Sequence, residues 1–389
     1  MYLGGLELSY AAPAVTFIWG TILGVAFLAV IASPMAVIAT QTRLSSYMLA
    51  RAAFGHQASK LLNFAFALSL LGWFGVNIEL FGDAMLRLVS ERGYGTIPLF
   101  ALEAVGGVLM TALTFFGLRA INGLSLLITP LLALVTVLML MTVLEVGSVP
   151  AILAQGPRQG LSFGDVMSAT VGTVAVGAVI LPDTCRFIKG WAGGVGVALA
   201  TYMISGPVVT LVAGLAGIAT AQTDLLPLML SFGLGLGAFA IVFGGSTTLN
   251  ALNLYSAALS IGTVWPKAPR EWVVVIGGIG GTAFAFFYIL DSFIPFLIYL
   301  TVIFIPVGAV ILADYFVIDH EAYRFENHDD LSAIRWPALV AWVSGSGVAL
   351  AAMEGLVTLS GTVAIDAILV SAILHIALTK ATPMKVAEA

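Results

Sequence analysis

The chain has 389 residues, of which 60% are apolar and only 9% charged, whereas an average soluble domain carries about a quarter charged residues. No water-soluble fold covers that much apolar surface, and a formal net charge of −5 without a dense basic stretch excludes nucleic acid as a partner. The single cysteine, Cys185, excludes an internal disulfide, and the histidines (His56, His320, His328, His375) show no ligand spacing, so no cofactor or metal cluster is expected.

Uncharged runs long enough to cross a hydrocarbon core follow one another along the whole chain. They predict helical spans near 11–39, 60–90, 98–118, 121–145, 165–188, 191–221, 230–261, 271–290, 292–317, 336–357 and 362–380. A transmembrane β-barrel would show short alternating segments, and runs such as 131–144 do not alternate. The expected architecture is an all-α integral membrane protein with eleven visible transmembrane helices.

Cytoplasmic loops carry the excess of lysine and arginine. Alternate connections place Arg43, Arg51, Lys60, Arg119, Arg186, Lys189, Lys267, Arg270, Arg324, Arg335, Lys380 and Lys385 on one side, and Arg87, Arg92 and Arg158 on the other. The distribution predicts a multi-pass protein of the cell's inner (plasma) membrane with a cytoplasmic C-terminus and an outside N-terminus. The opening residues 1–10 offer no means of translocation, so a first helix is expected to be missing ahead of them; a true eleven-span protein is the alternative.

Four places carry polar groups at membrane depth, where they are costly and mark a protein interior, a cavity or a substrate path. In the second span, Trp73 and Asn77 lie one helical turn apart on a shared face, able to stack on a flat ring and bond its edge. Gly72 and Gly75 beside them suit a helix-packing contact equally well. Glu79 in the same span needs a partner or a proton and is a candidate for proton coupling.

The fifth span holds Gly172, Thr173, Val174, Gly177 and Pro182, a composition that suits a discontinuous helix, although ordinary membrane helices also carry Gly and Pro. The seventh span is dense in hydroxyls and amides from Ser246 to Ser256. There Thr247 and Thr248 could give oxygen ligands to a small cation, or bond neighbouring helices instead. In the ninth span Pro306 is expected to loosen its helix, while Asp314, like Glu103, Asp183 and Asp366, reads as a solvated or interfacial helix-end carboxylate.

Six segments in register carry a resemblance. Leu49-Ala50-Arg51 with Phe54-Gly55; Gly72-Trp73-Phe74-Gly75-Val76; Phe116-Gly117 through Pro130; Pro182-Asp183 with Arg186-Phe187; Thr247-Thr248, Asn250 and Asn253-Leu254-Tyr255-Ser256; and Ile305-Pro306-Val307-Gly308 through Ala313-Asp314-Tyr315 resemble the nucleobase:cation symporter-1 (purine/cytosine permease) family, bacterial cytosine permeases in particular. The resemblance implies a single transporter domain of the LeuT type. It would comprise most of a first repeat (1–145), an inverted second repeat (165–317) and two additional helices (336–380), the visible helices being the family's second to twelfth.

It also implies Trp73 as the stacking plate for a nucleobase, with Asn77, Gly172, Thr173, Val174 and Asn250 around the substrate and Thr247 and Thr248 at a sodium site. Val174 stands where those permeases have a second stacking phenylalanine, and Leu70 where they have a glutamine. The expected activity is alternating-access uptake of a nucleobase or related planar N-heterocycle such as cytosine, coupled to Na+ or H+, by a monomer in the lipid bilayer with no enzymatic chemistry. A LeuT-type amino-acid transporter and a truncated, non-transporting homologue are the alternatives.

Overall fold

The computed structural model describes residues 1–91, 97–157, 160–287, 289–324 and 331–381. Arg92, Arg158 and Lys385 of the charge distribution, and His328, lie outside the described residues. Every regular element among the described residues is helical.

The first residues, which lie ahead of the first predicted span, form a helix of their own. Tyr2–Ala11 (α1) stops at Ala12, whose backbone is extended, and Pro13 supplies the fixed φ that leads into Ala14–Thr42 (α2). Arg43 closes α2 in the left-handed conformation, and Ser45 caps Ser46–Phe54 (α3) by accepting from the Met48 N–H. Ala58–Glu91 (α4), Leu99–Phe115 (α5), Gly117–Val146 (α6) and the short Val149–Leu153 (α7) follow. Ser162 and Asp165 form a capping box that starts Phe163–Val179 (α8), and Pro182–Cys185 (α9) follows.

Trp191–Leu199 (α10) passes through a π-helical turn at Ala200–Ser205 into Gly206–Thr220 (α11). Leu225–Ser231 (α12), Gly235–Phe239 (α13) and a second π-helical turn at Ala240–Gly245 precede Ser246–Val264 (α14). Arg270–Ala285 (α15), Phe293–Ala313 (α16), Trp336–Met353 (α17) and Val363–Ala381 (α18) complete the chain.

Of the eleven predicted spans, eight are long and apolar enough among the described residues to cross a membrane. The other three fail for identifiable reasons. α5 and α15 have 17 and 16 residues, about 25 Å of rise. α14 has 19 residues, but Thr247, Thr248, Asn250, Asn253 and a series of serines lower its apolarity.

Two packing groups organise the bundle. α4, α5, α14 and α15 contact one another extensively, and so do α1, α2, α8, α10 and α11 in the pairs α1–α11, α2–α8 and α2–α10. Close backbone approach is built into the second group: a methyl on Gly24 of α2 would come within 3.0 Å of Met167 O and of Thr170 on α8. α16 lies against the other side of α8 and is itself covered by α17 and α18. Basic residues gather at one end: Arg43 donates to the carbonyls of Arg186 (2.7 Å) and Ile188 (2.6 Å), and the Arg270 guanidinium lies 5.3 Å from the centre of the Tyr255 ring.

Glu103 and Asp366 are buried instead of taking the expected solvated or interfacial positions, and so is Asp314. Its carboxylate is fully buried at the end of α16, where Arg335 bonds both oxygens (2.6 and 2.9 Å), Tyr323 donates at 3.0 Å and His375 Nε2 lies 2.9 Å away. Arg335 also donates to Ala52 O, tying α3 to the same point. Burial, and then the carboxylate beside it, push the Tyr323 hydroxyl far above its usual value, so it remains a donor. Removing one partner of a buried pair leaves the other uncompensated: Arg335→Met is expected to cost about 3–5 kcal/mol of stability. Thermal unfolding of the detergent-solubilised protein checks this. Arg335→Met combined with Asp314→Asn should recover part of the loss, and an unchanged midpoint in the single variant would contradict the assignment.

Candidate functional site

α4 presents a stripe of residues at three- and four-residue spacing: Trp73, Val76, Asn77, Leu80, Asp83, Ala84 and Arg87. They form one wall of a cavity of about 580 Å³ between the two packing groups. α1 supplies Tyr2 and Glu7 opposite, α8 supplies Thr173, α6 supplies Thr129 and Leu132, and α14 supplies Ser246, Thr248, Leu249 and Leu252. Phe293 and Asp291 come from the start of α16 and the turn before it, and Asp224 from the connection after α11. Arg87 and Asp224, both exposed, pair at 2.7 Å and mark the end where the cavity meets solvent.

Trp73 is wedged rather than free to swing. Its ring meets Phe293 edge-on at 5.9 Å and 84° and Phe296 at 5.6 Å and 69°. Asn77 is buried, and its Nδ2 donates back to Trp73 O at 2.8 Å; its Oδ1 accepts no bond from a described residue. Indole and amide thus share a face of the helix, as their spacing predicts.

The expected discontinuity of the fifth span is present. Val174, inside α8, has φ −141° and ψ 18°, outside helical values, so the helix is broken there and backbone groups leave the i to i+4 pattern. Gly172 sits against the carbonyl of Leu297 on α16, where an added Cβ would fall 1.8 Å from the oxygen. Thr173 lies between them and faces the cavity, its hydroxyl donating to Thr170 O at 2.6 Å. Gly172 and Val174 shape the break without lining the cavity.

α14 separates the residues predicted to act together. Thr248 lines the cavity and donates to Gly244 O at 2.7 Å, whereas Thr247 is half-buried and not part of the lining. Asn250 is fully buried away from the cavity, with Nδ2 donating to Phe74 O (2.9 Å) and lying 3.1 Å from Met110 Sδ. It staples α14 to α4 and α5. The sequence reading missed Glu7, Asp83, Asp224 and Asp291. Asp83 could have been found, since it follows Glu79 by one helical turn inside an apolar span.

The profile of the family described as permeases for cytosine/purines, uracil, thiamine and allantoin matches residues 3–373. The cytosine permease of Escherichia coli O157:H7 is 28% identical over 330 residues, covering 85% of this chain and 77% of its own length; that of Escherichia coli strain K12 is 27% identical over the same extent. Among solved structures, Mhp1 in an inward-facing conformation superposes with a TM-score of 0.79 at 16% identity, over 98% of this chain and 88% of its own. Mhp1, a nucleobase-cation-symport-1 family transporter, in a closed conformation with bromovinylhydantoin bound, gives 0.75 at 18% identity over 98% and 93%. A Na+-coupled sialic acid symporter in a substrate-bound outward-open state gives 0.65 at 13% over 98% and 90%. The LeuT-type fold implied by the resemblance is therefore the fold of these neighbours.

The geometry is checked by thiol accessibility, with the native Cys185 buried and silent. Single cysteines at Asn77, Thr173 and Thr248 should react with a water-soluble thiol reagent, and one at Asn250 should not. Equal labelling at Asn250 would remove the distinction between lining and staple.

Proposed function

The chain belongs to the family of permeases for cytosine/purines, uracil, thiamine and allantoin, and from that premise we propose that this membrane transporter is a symporter. It takes up a nucleobase or related planar N-heterocycle together with a cation, by alternating access. The observation that carries the reading is Trp73, an indole held by two phenylalanine edges at the wall of a cavity next to a broken helix. A flat ring stacking there would have Asn77 and the Thr173 hydroxyl within the same cavity to bond its edge. Bromovinylhydantoin, bound in Mhp1, and cytosine, for which the similar permeases are named, are both planar N-heterocycles.

The basic end of the bundle is taken as cytoplasmic, with the C-terminus there, so the mouth at Arg87 and Asp224 faces outward in the plasma membrane. Residues 1–145 and 165–317 are read as inverted repeats that surround the site, with 336–380 appended. Thr248, and Thr247 beside it, are the hydroxyls assigned to the coupling cation, Na+ or H+. The π-helical turn at Ala240–Gly245 just ahead of them supports this assignment, because such turns recur at functional sites.

Trp73→Ala should weaken ring binding by about 1–3 kcal/mol, the range of base stacking on an aromatic side chain. Uptake of radiolabelled cytosine into cells lacking their own permeases, challenged by unlabelled pyrimidines, purines, hydantoins and amino acids, measures it. Replacing Thr247 and Thr248 together by Val should raise the cation concentration needed for uptake. Competition by amino acids instead of rings would replace the proposal with an amino-acid transporter.

A further inference from the structure

The cavity is strongly acidic. Its lining includes the carboxylates of Glu7, Glu79, Asp83, Asp224 and Asp291 against one basic side chain, Arg87, and Arg87 is engaged with Asp224 at 2.7 Å. No ion pair among the described residues involves Glu7, Glu79, Asp83 or Asp291. Glu79 is the informative one. It is only 4% exposed, and its one hydrogen bond among the described residues is a long one of 3.3 Å from the Leu290 N–H. A buried carboxylate normally has a cation or several strong donors beside it, because desolvation without compensation is costly. Here the space that a compensating cation would occupy is the cavity.

Glu79 and Asp83 lie one turn apart on α4, on the wall that also carries Trp73. An electron-rich indole face attracts a cation as carboxylates do. A neutral ring entering this cavity would strip water from Glu79 and Asp83 and return at most hydrogen bonds from its N–H groups, while a positively charged ring stacked on Trp73 would bring its charge toward Glu79, with Asp83 one turn further along α4 adding attraction at longer range. Resting on the reading of the cavity as the transport site, we propose that Glu79 and Asp83 make this transporter selective for a cationic N-heterocycle, one carrying a fixed or protonated ring charge, over neutral rings of the same shape.

A matched pair of probes isolates charge from shape: 4-aminopyridine, protonated in mildly alkaline buffer, and 4-aminopyrimidine, which differs by one ring nitrogen and is neutral there. Binding is measured calorimetrically on the full chain in detergent, in a buffer where carboxylates are ionised. The expected result is a preference of about tenfold or more for the charged ring, in the range of a close charge pair. Glu79→Gln and Asp83→Asn, both isosteric, should each reduce that preference, and the pair together should abolish it. The folding of each variant is verified by its thermal midpoint.

Equal or tighter binding of the neutral ring, with Trp73→Ala weakening it, would overturn the charge preference and leave the ring site standing. So would neutral-ring binding that requires sodium and loses that requirement in Glu79→Gln, since the carboxylates would then serve the coupling ion. Binding of neither probe, nor of cytosine, with no response to Trp73→Ala, would overturn the ring site itself and this inference with it.

Discussion

The contact on which the rest of the arrangement depends is the approach of the Leu297 carbonyl on α16 to Gly172 on α8. No side chain larger than hydrogen fits at that point, since a methyl would stand 1.8 Å from the oxygen. With α2 also in close contact at Gly24, where a methyl would stand 3.0 Å from Met167 O, α8 is held between two helices. Directly beyond the clamp the helix breaks at Val174. A clamped half-helix followed by a break fixes where Thr173 points, and so sets the distance across the cavity from α8 to the Trp73 wall of α4. The clamp works through α16, whose most extensive contacts apart from α8 are with α18 and α17. The site is thereby coupled to helices that do not touch it.

Those outer helices are anchored by charge rather than by shape alone. In a low-dielectric interior the Asp314 carboxylate would be prohibitive alone, but its two oxygens receive the Arg335 guanidinium, the Tyr323 hydroxyl and the His375 imidazole. The groups come from a loop turn, the start of α17 and the middle of α18, so a single buried anion fixes three separate segments to the end of α16. The opposite end of the bundle has a different electrostatic character. There the acids line an open space and the one basic side chain is exposed. A closed, compensated charge cluster is suited to holding position, whereas an open, uncompensated one is suited to receiving a ligand.

The two outcomes explain what was legible in the sequence. Trp73 and Asn77 were readable as a pair because helical spacing alone puts them on one face, and the break near Gly172–Val174 because glycine and proline density reports backbone freedom. Asn250 and Thr247 fall outside the cavity lining, which spacing could not tell, because it says which residues share a face but not which neighbour that face meets; Asn250 turns to Phe74 O. Asp314 could not be read as buried, since its partners are 9, 21 and 61 residues away along the chain. Glu7, Asp224 and Asp291 belong to a short helix and two connections that carry no membrane-span signal. Their convergence is a property of the packing.

The position of the cavity relative to the two packing groups constrains how the molecule can move. Trp73, Asn77 and Thr248 belong to the group of α4, α5, α14 and α15, which Asn250 staples internally. Tyr2, Glu7 and Thr173 belong to the group of α1, α2, α8, α10 and α11. Each group is stitched by contacts too close to slide, such as Gly24 against Thr170, so the deformable surface is the one between them, where the cavity lies. A rotation of one group on the other would change access while leaving the Trp73 wedge and the Val174 break intact. Because α16 grips α8 through Gly172 and is held at its far end by Arg335, the group containing α8 is the better anchored to α16–α18. The α4 group, carrying both Trp73 and the Glu79 carboxylate, is then the less anchored of the two, and on the proposed reading its displacement would open or close the cavity to solvent.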